Sequence, residues 1–231
     1  MADLASLKRI AGRRAAELAE SGMILGLGTG STAYFAIERI AERLKEEKDF
    51  TVRAVSTSFS TTLLCHQMGI PLLSVGSVDR LDLAIDGADE IDPARNLVKG
   101  RGAAQLIEKI VARMADRFVV VADETKKVDV LGASMPVPIE VHPNALSSLM
   151  RQVKELTGAE RVEVRMAGKS KDGPVISDSG NMIVDAWISD IRKPAEMAAL
   201  LDSLPGCIGH GIFAGYCSRV FLATERGLVE F

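Results

Sequence analysis

The residues with the most chemical potential fall in one stretch, Asp86 to Met114. Asp86 ends a short apolar run, Leu81 to Ile85, and a turn follows with Gly87, Ala88, Asp89, Glu90 and Asp92. Next come Lys99, Gly100, Arg101 and Gly102, and then a helical pattern. Ala103, Leu106, Ile107, Ile110, Val111 and Met114 recur at the spacing of a buried face. Glu108 lies off that stripe, roughly two turns in from the glycines. Carboxylates with a lysine close by suit proton transfer on a small anionic substrate. The cation tunes or neutralises the acids, and glycines let the backbone approach a phosphate.

Three readings of Asp86 and Asp89 compete. Four acidic residues within seven positions suit a solvated turn. Mg²⁺ binding in a phosphohydrolase needs a DxD motif at a strand end, whereas the spacing here is DxxD with no threonine at the right place. The third reading is acid–base chemistry, with Lys99 as the tuning charge. Taken singly, Glu108 and Lys126 read as ordinary solvated residues. Glu108 gains weight by sharing a segment with Lys99 and the glycine loop.

Several elements must position these groups. Met23 to Leu27 reads as a strand, Gly28-Thr29-Gly30-Ser31-Thr32 as a turn, and Ala33 to Leu44 as a helix. Backbone N–H groups converge where a glycine-rich turn opens a helix, and the helix dipole favours an anion there. Gly26, Gly28 and Gly30 give GxGxG, but serine at 31 and Ser56-Thr57-Ser58 after the next strand break the dinucleotide fingerprint. No GK[ST] follows, so a P-loop is excluded. The loop reads as a site for a phosphate monoester and argues against a nicotinamide cofactor. Thr51 to Val55 and Ile70 to Val75 read as strands, with a helix from Ser60 to Met68 between them. Arg117 to Ala122 is a continuous apolar strand, as both faces of a buried parallel sheet require. Thr29, Ser56, Asp86 and Asp123 all fall at strand ends, which in open α/β sheets line one crevice.

Beyond Gly132 the pattern changes. Strands at 136–141, 161–166, 175–177, 182–187 and 208–213, with helices at 144–156 and 194–203, follow a βαββαβ order with an added hairpin at Asp178 to Asn181. The expected fold is a Rossmann-like open parallel sheet, residues 1–132 and 214–231, with a smaller ferredoxin-like α+β lid, residues 133–213.

Composition sets the outer limits. The chain has 231 residues, 47% hydrophobic and 26% charged, an ordinary globular balance. A formal charge of −3 gives no reason to expect nucleic acid or an anionic membrane as partner. Three cysteines without CxxC spacing and three scattered histidines form no zinc pattern and fit a reducing, cytoplasmic setting. The first twenty residues alternate as an ordinary first helix, and no apolar run approaches the ~18 residues of a membrane span.

Four motifs in order resemble ribose-5-phosphate isomerase A: Gly28 to Thr32, Asp86-Gly87-Ala88-Asp89-Glu90, Lys99-Gly-x-Gly-Ala-Ala104 with Glu108-Lys109, and Ala122-Asp-x-x-Lys126. Pro136-Val-Pro-x-Glu-Val141 and Asp178-x-Gly-Asn181 extend the likeness over nearly the full length. The resemblance implies a Rossmann-like domain with a smaller lid, no metal and no cofactor, and a homodimer or homotetramer. It implies isomerisation of ribose 5-phosphate to ribulose 5-phosphate, with Glu108 as the proton-shuttling base. Asp86, Asp89 and Lys99 would surround the reacting oxygens. Thr29, Gly30, Ser31, Thr32, Gly87, Ala88, Gly100, Arg101, Gly102 and Lys126 would contact the sugar phosphate, and Lys8 aligns with a basic residue of the family's first helix. Arg101 stands where the family has the middle of three glycines, and Thr57-Ser58-Phe59 where Ser-Ser-Asp is usual. Alternatives are an isomerase of the same fold for another sugar phosphate, or a non-catalytic sugar-phosphate sensor. Such sensors usually carry a DNA-binding domain, for which the segment before Met23 is too short.

Overall fold

A computed structural model describes residues 3–231 of the chain. Two compact units result, one of residues up to 88 with 107–126 and 216–231, the other of 89–106 with 127–215. The sequence division keeps 89–106 and 127–132 with the first part. Strand pairing draws 89–106 into the second unit, as described below.

The first unit opens with α1 (Leu4–Ala16), β1 (Ile24–Leu27), α2 (Ala33–Glu46), β2 (Arg53–Ser56), α3 (Phe59–Met68) and β3 (Leu83–Asp86). The chain then leaves through β4 (Glu90–Ile91) and β5 (Leu97–Val98) and returns along α4 (Gln105–Met114) into β6 (Phe118–Asp123). In the second unit follow β7 (Val137–Val141), α5 (Leu146–Thr157), β8 (Arg161–Val164), β9 (Met182–Trp187), α6 (Pro194–Asp202), β10 (Cys207–His210) and β11 (Ile212–Phe213). The hairpin β12 (Arg219–Thr224) and β13 (Gly227–Glu230) ends the chain in the first unit.

The first unit is built on a six-stranded sheet in the order β13-β12-β6-β3-β1-β2. Its pairs are parallel except β12 with β13. Every residue of β6 is buried, which its unbroken Val119-Val120-Val121 run requires when both faces are covered. Leu25, Leu27, Ile37, Ile40, Leu83, Ile85, Val121 and Phe221 form the core. Arg43 of α2 fixes the end of α1 by donating to the carbonyls of Ala16 and Ala19, each at 2.9 Å. One expected strand is absent: 70–75 makes a single bridge, Ala54 to Leu72. Pro71 lacks the N–H a ladder needs.

In the second unit, β10-β7-β9-β8 form an antiparallel sheet. Numbered by sequence within this unit, the strands lie 4-1-3-2 with helices after the first and third, the ferredoxin-like arrangement. Val137, Ile139, Val184 and Ala186 pack with Leu149, Val153 and Leu201 of the two helices. The expected strand at 175–177 is reduced to bridges around Pro174 and Ile176. The expected strand at 208–213 breaks at Gly211, where a Cβ would meet the Lys99 carbonyl at 2.2 Å. That break lets β11 join β5 and β4 in a separate three-stranded sheet, and the Lys99 N–H donates to Gly211 O at 2.8 Å. Among the described residues no helix is long and apolar enough to cross a membrane.

Candidate active site

In the first unit the candidate residues gather where parallel strands end. β2, β1, β3 and β6 are neighbours, so Ser56, the Gly28 turn, Asp86 and Asp123 share one edge of the sheet. The three glycines of the turn serve three purposes. A Cβ on Gly26 would lie 2.5 Å from Val111 Cγ1, so this glycine admits α4 against β1. Gly30 has φ +125°, a conformation that favours glycine. At Gly28 a Cβ would stand 2.0 Å from Asp86 Oδ1, so its absence makes room for that carboxylate. Asp86 is buried, and its Oδ1 accepts the N–H groups of Thr29 (3.1 Å) and Gly87 (2.7 Å). A carboxylate fixed by two backbone donors has one defined direction.

Thr29 turns out to be structural in part. Its hydroxyl lies 2.8 Å from that of Thr57, 2.7 Å from Ser58 and 2.9 Å from Thr61, and Thr61 donates to Gly28 O at 2.9 Å. This hydroxyl cluster ties the turn to the start of α3, where Ser58 caps the helix by accepting the Thr61 N–H. Ser31 and Thr32 remain at the entrance to α2, and Lys8 Nζ from α1 donates to Ser31 Oγ at 3.0 Å. Lys8, Thr29, Gly30, Ser31, Tyr34 and Phe35 line part of a cleft of about 690 Å³. Lysine, hydroxyl and helix N-terminus are donors of the kind a phosphate dianion takes.

Glu108 is not where the helical pattern puts it. The buried positions of α4 and its approach are Ala104, Gln105, Glu108, Val111 and Ala112, while Ile110 is 40% exposed. The helix is rotated relative to the expected apolar stripe, and Glu108 belongs to its buried face. Lys126 ends a 3₁₀ turn after β6 and is half-buried. Asp123, fully buried, accepts from the Thr125 N–H at 3.1 Å and its hydroxyl at 2.5 Å.

The remaining candidates belong to the second unit. The acidic turn is not solvated, for Glu90 and Asp92 are buried and structural. Glu90 accepts the N–H groups of Gly132, Ser134 and Met135 and the Ser134 hydroxyl, at 2.6 to 3.0 Å. Asp92 caps the turn at Asn96, accepting its backbone N–H and its amide, each at 2.8 Å. Asp89 is left to the loop after Lys99, where its Oδ2 accepts the Arg101 N–H at 3.0 Å. Lys99 is 2% exposed, and its ammonium sits 5.7 Å from the centre of the Phe213 ring. Gly100 has φ +100° and Ala103 has φ +61°, and the Ala103 N–H closes the turn on Gly100 O at 2.9 Å. Arg101 does not have positive φ, so arginine is unstrained there. Its exposed side chain reaches Asp89, Nε to Oδ1 3.7 Å.

Sequence reasoning missed Arg165, which follows β8 and donates to the Gly100 and Arg101 carbonyls of this loop, and Asp185 of β9, which pairs with it. Strand alternation puts them on one sheet face, but no spacing links them to Lys99.

A sequence profile described as Ribose 5-phosphate isomerase A (phosphoriboisomerase A) matches residues 53–227. The ribose-5-phosphate isomerase A of Thermosynechococcus vestitus is 44% identical over 216 residues, covering 94% of this chain and 90% of that one. That of Pyrococcus horikoshii is 43% identical over 222 residues, 96% of each chain. A D-ribose-5-phosphate isomerase solved in complex with phospho-erythronic acid superposes with TM-score 0.96 at 42% identity, over 100% of this chain and 99% of that one. Ribose 5-phosphate isomerase A from Methanocaldococcus jannaschii gives TM-score 0.93 at 37% identity, over 99% of each.

Proposed function

Because this chain belongs to the ribose 5-phosphate isomerase A family, we propose that it interconverts ribose 5-phosphate and ribulose 5-phosphate through an enediolate. The observation that carries the reading is Glu108, a carboxylate on the buried face of α4. Placed beside the open-chain sugar, it removes the proton from C2, the C1 carbonyl becomes the enediolate oxygen, and the same group returns the proton to C1. The C2 hydroxyl gives up its proton as the ketone forms. One carboxylate serves both half-reactions, as general base and then as general acid.

In this proposal Lys99 and backbone N–H groups of the Gly100–Gly102 loop meet the charge that develops on the oxygens, the usual role of preset donors. Asp86, aimed by the Thr29 and Gly87 N–H groups, handles hydroxyl protons during ring opening and between the two oxygens. Asp89 holds the loop and faces the same oxygens. Ser31 and Thr32 at the start of α2, with Lys8 of α1, take the 5-phosphate, and Lys126 adds a second cation. Glu108, Asp86 and the phosphate loop belong to the first unit, and Lys99 and Asp89 to the second. The enzyme works in the cytoplasm as a homodimer or homotetramer, without metal or cofactor.

Turnover of ribose 5-phosphate, compared with a panel of other aldose phosphates, tests this. A clear preference for ribose 5-phosphate is expected. Preference for another sugar would move the assignment to a different isomerase, and binding without turnover on any of them would make the chain a sensor.

A further inference from the structure

The loop from Lys99 to Gly102 is held by two side chains to which no motif points. Arg165 extends β8 by one residue: its N–H donates to Ile183 O and its carbonyl accepts from the Val175 N–H, both at 2.8 Å. Val164 pairs with Val184, and Val184 packs into the apolar core. By strand alternation Arg165 and Asp185 therefore project from the other face, as diagonal neighbours across the ladder. They form a two-pronged pair, Nε to Oδ2 at 2.8 Å and Nη2 to Oδ1 at 2.5 Å. Each side chain is only 16% exposed.

This pairing leaves Nη1 free to act elsewhere, and it donates to two successive carbonyls, Gly100 O at 2.9 Å and Arg101 O at 3.0 Å. A trans peptide is planar, so fixing a carbonyl also fixes the N–H on the opposite side of the same plane. With Gly100 O on Arg165, the Arg101 N–H points the other way, where Asp89 Oδ2 accepts it. With Arg101 O on Arg165, the Gly102 N–H must also point away from the guanidinium. Gly100 and Ala103, both at positive φ, bound this segment; the turn's own bond, Ala103 N–H to Gly100 O, leaves the Arg101 carbonyl to be held from outside by Arg165.

We propose that Arg165, oriented by Asp185, is a positioning residue for the isomerisation. It fixes the 100–101 and 101–102 peptide planes so that the Gly102 N–H is preset toward the enediolate end of the sugar phosphate and Lys99 keeps its place at the loop's start. The proposal rests on the reading above, in which this loop serves the substrate. Asp185 supplies the counter-charge and the two-point geometry that an arginine fork accepts and a lysine does not.

Arg165→Met, Arg165→Lys and Asp185→Asn, made in the full chain, test it through kcat, KM, thermal unfolding and the binding of two probes. Phospho-erythronic acid carries a carboxylate where the enediolate forms, whereas inorganic phosphate reports only the phosphate cradle. Arg165→Met should lower kcat by about 10- to 100-fold and weaken phospho-erythronic acid by a comparable factor. Inorganic phosphate affinity should stay within about twofold. Arg165→Lys should recover part of the loss, and Asp185→Asn should fall between. If Arg165→Met does not fold, the other two variants carry the same comparison. Equal weakening of both probes would reduce the pair to scaffold, and wild-type kcat and acid affinity in all three would remove its role. Both results overturn the proposal while leaving an active isomerase. An inactive wild-type chain would instead overturn the functional reading itself.

Discussion

Replacing Gly28 by alanine separates the geometry of Asp86 from general stability. The added Cβ would stand 2.0 Å from Asp86 Oδ1, 2.1 Å from Cγ and 2.6 Å from Cα. Rotating the carboxylate relieves the first two contacts but not the third, which is backbone. The end of β3 must therefore shift by about 1 Å, and overpacking of this kind costs roughly 1–3 kcal/mol. For a chain of this size that lowers Tm by about 2–12 °C. Misplacing a reacting group by about 1 Å costs about 10²-fold in rate, so kcat should fall by that order. Gly69→Ala is the matched control. Gly69 caps α3 at φ +78° with nothing within 4 Å of an added Cβ. Alanine there costs about 1–2 kcal/mol of backbone strain, touches nothing, and should leave kcat within about twofold of wild type. The assay is the formation of ribulose 5-phosphate, well below both unfolding temperatures, beside thermal unfolding of each variant. Wild-type kcat in Gly28→Ala would refute the role of Asp86 and the reason given for the glycine. So would an equal loss of kcat in Gly69→Ala, since stability alone would then explain both.

Glu108→Gln should lower kcat by roughly 10²–10⁴ with KM changed only a few-fold; turnover near the wild-type rate would dismiss it as the base. Activity should survive exhaustive treatment with EDTA, and loss reversed by Mg²⁺ or Mn²⁺ would make Asp86 and Asp89 metal ligands instead. Arg101→Gly should shift KM, or the ranking of sugar phosphates, by about several-fold, because the arginine lies beside Asp89. Its stability should fall by no more than about 1 kcal/mol, since the ion pair is exposed and arginine carries no strain there. Unaltered KM and ranking would return Arg101 to the solvent. Burial pushes the Cys65 thiol up to about 11, so a thiol reagent at neutral pH should leave it unmodified until the chain unfolds. Rapid labelling of Cys65 in the folded protein would contradict that.

The sheet of the first unit was legible because its strands carry the signature of double burial. Val119-Val120-Val121 in β6 and the apolar runs of β1 and β3 leave few other structures open, and β1 is followed by a helix of matching period. The ferredoxin-like order was legible from the succession of elements alone. Two expected strands are reduced to bridges. Residues 70–75 are apolar and β-prone, but Pro71 takes a ladder donor away, and only a bridge remains; residues 175–177 keep bridges on either side of Val175, whose N–H donates to Arg165 O. The grouping of 89–106 could not be read locally. It depends on Gly211 permitting the Lys99 carbonyl at van der Waals range and on β11 pairing with β5, contacts made more than a hundred residues along the chain.

The site was legible in its residue types and illegible in its orientation, and α4 shows why. Leu106, Ile107, Ile110, Val111 and Met114 outline an apolar stripe, yet the buried face runs through Ala104, Gln105, Glu108, Val111 and Ala112. Val111 belongs to both faces and lies against Gly26 of β1, and the small Ala112 beside it is buried. Larger apolar residues are displaced toward the flanks, and Ile110 becomes exposed. A pattern weighted by hydrophobicity follows the large side chains and so turns the helix the wrong way. Close packing follows the small ones, and it carries a glutamate inward. Burying a carboxylate costs several kcal/mol unless something compensates, which is why a pattern of apolar residues does not place Glu108 on that face. The mismatch between the apolar stripe and the small-residue face is what keeps Glu108 off the face that hydrophobic periodicity marks.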